Sequence, residues 1–215
     1  MGRCIDLNDS SENLVCIMNL GNSLDIFIFI IHLEIMTVTI EKLTVQQMID
    51  EPQKWDRFEL YRGEPIEVTY SYPIHGKTLG DLFFLIKFWI QNGGYGEVTG
   101  GESGIRFGED TRYSFDLGWS DMPIPDEEIP SSSLPLMVEI ISDSNDANRM
   151  LIKIEDYLQN GGKEVWLVFP KRKTIQVYYT DNTARLFHIN DTITPGDWMK
   201  DFVLPLKDLF PEKSK

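Results

Sequence analysis

Two short apolar runs joined by one helix-length segment constrain this chain more than any other feature. "LPLMVEII" occupies residues 134–141 and "EVWLVFP" residues 164–170. Both read as strands buried on two faces, because apolar residues run almost without a break. Between them, Met150, Leu151, Ile154, Tyr157 and Leu158 recur at helical spacing, and Gly161 and Gly162 end the pattern. A strand–helix–strand unit of this length predicts a parallel, right-handed crossover. The expected fold is α/β, a mixed sheet with a helix on each side.

The flanking segments fit such a sheet. "KLTVQQMIDE" predicts a short helix capped by Thr44, with Val45, Met48 and Ile49 on one face. "RFELYRGEPIEVTY" predicts two short strands about a turn at Arg62 and Gly63. A long helix follows, with Leu79, Leu82, Phe83, Ile86 and Ile90 as its core stripe and Gly93 and Gly94 as its stop. "YGEVTGGESGIRFGED" reads as two more short strands, with Gly100 and Gly101 as turn or bulge. In "RYSFDLGWSD", strict alternation puts Tyr113, Phe115, Leu117 and Trp119 on one face and Ser114, Asp116 and Gly118 on the other. "TIQVYY" and "ARLFHI" are further strands, and "LPLKDLF" a terminal turn or short helix.

Residues 1–35 read differently. The apolar run at residues 26–31 is too short to span a bilayer. Arg3 alone is basic before it, and no small-residue cleavage site follows, so a signal peptide does not fit. The segment is an N-terminal extension, either an extra strand or helix or an upstream start outside the functional protein. The second is the expectation, since "MTVTIEKLTVQQMID" opens cleanly at Met36. Residues 36–215 then form a single domain.

Composition removes several function classes. Thirty-four acidic against 20 basic residues give a net charge of −14, which argues against a strongly basic nucleic-acid binder. The only cysteines, Cys4 and Cys16, lie in the extension, so the body has neither a disulfide framework nor a thiolate zinc site. That usage suits a reducing cytoplasm. His32, His75 and His188 lack metal-ligand spacing. "GGYGEVTGG" lacks the lysine and hydroxyl of a phosphate-binding loop, and Ser131–Ser133 have no base nearby in sequence. Lys171, Arg172 and Lys173 form a compact basic turn, more often a solvated hairpin tip than a phosphate contact.

One residue breaks the pattern of the first buried run. Glu139 is a carboxylate among aliphatic neighbours, and an unpaired buried carboxylate costs several kcal/mol. Either the position is misread as buried, or something cationic meets it. Asp116 lies on a strand that can neighbour it, and paired carboxylates at sheet ends are a usual way to hold Mg²⁺. Lys153 falls at the edge of its helix stripe, neither buried nor fully outward. From there it can lean along the sheet, to polarise a water or neutralise a phosphate.

Five stretches in order carry a resemblance: "RFELYRGEPIEV", "IHGKTLGDL", "SFDLGWSD", "LPLMVEIISDS" and "KIEDYLQNGGKEVWLVFP". Together they resemble the Uma-type family of putative restriction endonucleases, a branch of the PD-(D/E)XK nuclease superfamily. The resemblance implies a restriction-endonuclease-like mixed sheet flanked by helices. It implies Asp116 and Glu139 as ligands of Mg²⁺ or Mn²⁺, and Lys153 as the catalytic lysine moved onto the helix from position 141, here Ile. It further implies Glu59 near the metal site, and His75 matches a recurrent position. Phe115 stands where a proline is expected, "SDS" at 142–144 where the family has "SPS", and Arg149 where an acid is expected.

Two readings follow. The first is a Mg²⁺-dependent endonuclease hydrolysing DNA phosphodiester bonds, cytoplasmic and free of membrane; analogy with cutters of duplex DNA implies a homodimer. The second is a nuclease-like fold that binds without cutting, which the acidic charge favours. A hydrolase of another phosphate ester is a third.

Overall fold

The computed structural model describes residues 3–5, 13–18, 27–32, 42–142 and 145–212. Met36, Asp143 and Ser144, which figured in the reading above, lie outside them. The chain divides into two compact units, Met1–Glu41 and Lys42–Lys215. In the first, β1 (Arg3–Ile5), β2 (Asn13–Met18) and β3 (Phe27–His32) form an antiparallel sheet in that order.

The second unit opens with α1 (Val45–Asp50), whose capping box pairs Thr44 with Gln47. Val45 and Met48 are buried as expected, but Ile49 faces solvent. The helix is only six residues long, so its inner face holds just two. After α2 (Pro52–Trp55), β4 (Phe58–Tyr61) and β5 (Glu64–Glu67) form a hairpin. Arg62 and Gly63, both at positive φ, make the tight turn that matches strand twist.

α3 (Pro73–Gln91) leads to β6 (Glu97–Phe107), β7 (Thr111–Ser120) and β8 (Leu136–Ile140). α4 (Ala147–Gln159) then returns the chain to β9 (Glu164–Phe169), which lies parallel to β8. β10 (Thr174–Tyr179) and β11 (Ala184–Phe187) continue antiparallel. The eight-stranded sheet runs β11-β10-β9-β8-β7-β4-β5, with β6 paired to β7. β12 (Thr192–Ile193), β13 (Leu204–Pro205) and α5 (Leu206–Leu209) close the chain.

Apolar side chains collect in two large clusters. Leu82 and Ile86 of α3 pack with Leu117, Trp119, Val138 and Trp166. Met150, Ile154 and Tyr157 of α4 pack with Tyr113, Phe115, Met137 and Leu167. This corrects the alternation expected for β7: Tyr113 and Phe115 pack with α4, Leu117 and Trp119 with α3. The two expected strands of residues 97–107 are also one strand. Both departures fall at one place. The β6–β7 register slips between Gly100 and Ser103, opposite residues 115–117. Such a bulge bends the ladder and re-aims side chains. Asp116 sits at the break.

Candidate active site at the fork of the sheet

Beyond β6, β7 has two other neighbours, and they touch it at different places. β8 pairs with Leu117, Gly118 and Trp119, while β4 meets β7 through Leu60 opposite Arg112. Between these contacts the sheet forks, and side chains replace strand partners. The Ser114 N–H donates to Glu59 Oε1 at 2.9 Å. Lys153 Nζ donates to the Ser114 carbonyl at 2.6 Å and to Glu59 Oε1 at 2.8 Å. Buried peptide groups need such partners, so Glu59 and Lys153 hold the fork open without orphaning its backbone.

Asp116 and Glu139 lie at the root of the fork. Leu117 pairs with Val138, so the next step along both strands brings Asp116 opposite Glu139. Asp116 Oδ2 accepts the Ile140 N–H at 2.6 Å and lies 3.0 Å from His75 Nε2 in the first turn of α3. Glu139 Oε1 accepts the Tyr157 hydroxyl at 2.7 Å and lies 3.0 Å from Lys153 Nζ. Lys153 and Tyr157 stand four apart on α4, so one helix face supplies both.

Lys153 is buried, not poised at the rim of its stripe as its helical angle suggested. The pull of two carboxylates and a carbonyl brings its ammonium inward. Glu59, Ser114 and Glu139 provide an acceptor for each of its three N–H groups. Burial alone would lower its pKa, but the negative charges of Glu139 and Glu59 outweigh that and raise it. The lysine is firmly charged.

Two carboxylates, those of Glu59 and Glu139, thus share one ammonium, while Asp116 pairs with His75. Burial pushes the Glu139 carboxyl up to about 7; Lys153 opposes this, while Asp116 and Glu59 reinforce it. Burial and the Glu139 charge also hold the Tyr157 hydroxyl well above its ordinary range, so it remains a donor.

The donor chemistry fits a hard divalent cation. Among the described residues no three His, Cys, Asp or Glu side chains converge into a ready cage. Mg²⁺ seldom uses one; it binds through one or two carboxylates and completes its shell with waters and substrate phosphates. Asp116 and Glu139 could hold it through oxygen alone, and their excess negative charge would be relieved by it.

The four residues named from sequence therefore converge. Sequence reasoning missed Tyr157 as the partner of Glu139, since it read the ring as core stripe. Its place four residues after Lys153 was the available signal. His75 entered only as a recurrent position, and its contact with Asp116 depends on a chain separation no local pattern reveals. Lys171, Arg172 and Lys173 are exposed at the turn after β9, outside the cluster.

The family model Uma2, described as putative restriction endonuclease, matches residues 44–207. A solved structure from Anabaena variabilis, a putative nuclease belonging to DUF820, superposes with a TM-score of 0.63 at 20% identity. The match covers 71% of this chain and 89% of that one. No curated protein matches. With the family model spanning most of its length, the chain belongs to the Uma2 family of putative restriction endonucleases.

Proposed function

We propose that the domain is a nuclease that uses Mg²⁺ or Mn²⁺ to hydrolyse DNA phosphodiester bonds. One observation carries the reading: Glu59 and Glu139 share a single buried ammonium at the fork of the sheet, and Asp116 lies opposite Glu139 on the neighbouring strand. A bound divalent ion would supply charge neutralisation on the phosphate and a more acidic attacking water.

The chain's own groups divide the remaining work. Asp116 and Glu139 would hold the ion, Glu139 in its ionised form. His75 and the Ile140 N–H fix the Asp116 carboxylate; Tyr157 and Lys153 fix that of Glu139. Lys153 also anchors Glu59, which can then orient water or ion. To assist an attacking water, Lys153 must exchange one of its three acceptors for it. Phosphoryl transfer rests mainly on positioning and charge, so this fixed geometry is its main contribution.

A second reading, a nuclease fold that binds without cutting, is favoured by one fact: the Lys153 ammonium is already fully engaged. Incubation of supercoiled plasmid with Mg²⁺ or Mn²⁺ separates the two. The nuclease reading expects nicking that Asp116→Ala abolishes; cutting that survives Asp116→Ala dismisses this site, and no cutting by wild type favours the binding module.

A further inference from the structure

A groove of about 310 Å³ opens between the N-terminal end of α4 and the strands β9 and β10. Its lining includes Ile141, Leu151, Leu167, Phe169, Gln176 and Tyr178. The register ties it to the candidate site. Leu167 lies opposite Glu139 on the neighbouring strand, about 4.8 Å away, and Ile141 lies two residues beyond Glu139, about 7 Å along the strand. The groove therefore begins about one nucleotide's reach from the carboxylates.

Its chemistry is mixed in a particular way. Phe169 and Tyr178 supply aromatic rings, and Leu151 supplies a half-exposed aliphatic wall. Gln176 and Tyr178, two apart on β10, both line the groove, and burial raises the Tyr178 hydroxyl. An amide beside two rings suits a flat heterocycle with polar edges. β9 ends at this same margin, and the exposed Lys171, Arg172 and Lys173 follow it directly. A run of three cations is conspicuous in a chain of net charge −14, and it is complementary to phosphates flanking whatever the groove holds.

We propose that this groove receives an unstacked nucleobase of the substrate strand, with the turn at residues 171–173 on the adjoining phosphates. The proposal rests on the nuclease reading for the identity of its ligand. The base is held by ring contact and the phosphates by charge, so the two contributions separate experimentally.

The test measures fluorescence anisotropy of a labelled thymidine hexamer and of an abasic hexamer with the same backbone. Ca²⁺ replaces Mg²⁺ throughout. Wild type should bind the thymidine probe about tenfold more tightly, the scale of base–aromatic stacking. Tyr178→Ala should bring the two affinities to within about twofold, and Tyr178→Phe should restore the difference. Arg172→Gln with Lys173→Gln should weaken both probes equally and reduce the salt dependence. Equal binding of the two probes by wild type, no binding of either, or a base preference that survives Tyr178→Ala overturns the proposal. A divalent-ion titration of Tyr178→Ala that matches wild type shows an intact fold. A wild type that prefers bases but binds no divalent ion would sink the nuclease reading and leave the groove standing.

Discussion

Replacing Glu139 by Gln removes a carboxylate that burial holds at about 7 instead of 4.5. Gln keeps the shape and can still accept from Tyr157, while Lys153 keeps Glu59 and the Ser114 carbonyl. The perturbation therefore isolates one titration. Below about pH 4.5 the carboxyl is protonated in both folded and unfolded chains. As pH rises toward 7 the unfolded chain releases this proton and the folded chain keeps it, so native stability falls. Above about pH 7 both are ionised and the loss is complete. The displacement corresponds to about 3 kcal/mol. Urea unfolding of wild type and Glu139→Gln, with chelator present, should show wild type losing about that much relative to the variant between about pH 4 and 8. Groups remote from Glu139 titrate equally in both proteins and cancel. Parallel stability profiles across that range would refute the claim that Glu139 is buried among like charges.

Lys153→Met leaves Glu59 and Glu139 buried without their cation and should cost about 3–5 kcal/mol by denaturant unfolding. Adding Glu59→Gln to that variant should recover part of the loss, because the two changes share one interaction. His75→Ala should weaken divalent-ion binding by roughly tenfold to a hundredfold, read by calorimetry, since it releases a carboxylate proposed as ligand. In wild type, divalent affinity should climb with pH and level off near 7, where Glu139 has given up its proton; a flat profile would show that Glu139 is not a ligand.

Much of the fold is legible in the residues. The crossover from β8 through α4 to β9 follows from two apolar runs and one amphipathic segment, since each element must bury its own pattern. Thr44 and Gln47 announce the start of α1 for the same local reason: the cap is made within four residues. What is not legible is set by partners far away. The face switch along β7 falls opposite a slip in β6, and the inward turn of Lys153 depends on Glu59, 94 residues earlier. Glu139 was visible because an acid in a buried strand violates its surroundings. Glu59 was not, because an acid alternating with Phe58 and Leu60 in a short strand reads as an ordinary polar face; the resemblance supplied it. The carboxylates can be found by asking which residue breaks a local rule. The residues that hold them in place obey theirs.

We propose that Asp116 and Glu139 together bind a divalent ion. Titration calorimetry with Mn²⁺ at about pH 7.5, above the value at which burial holds Glu139, tests it before any substrate is known. The account predicts one saturable site in wild type that disappears in both Asp116→Asn and Glu139→Gln while both variants melt cooperatively. Binding unchanged in either folded variant, or no binding by wild type, would contradict it.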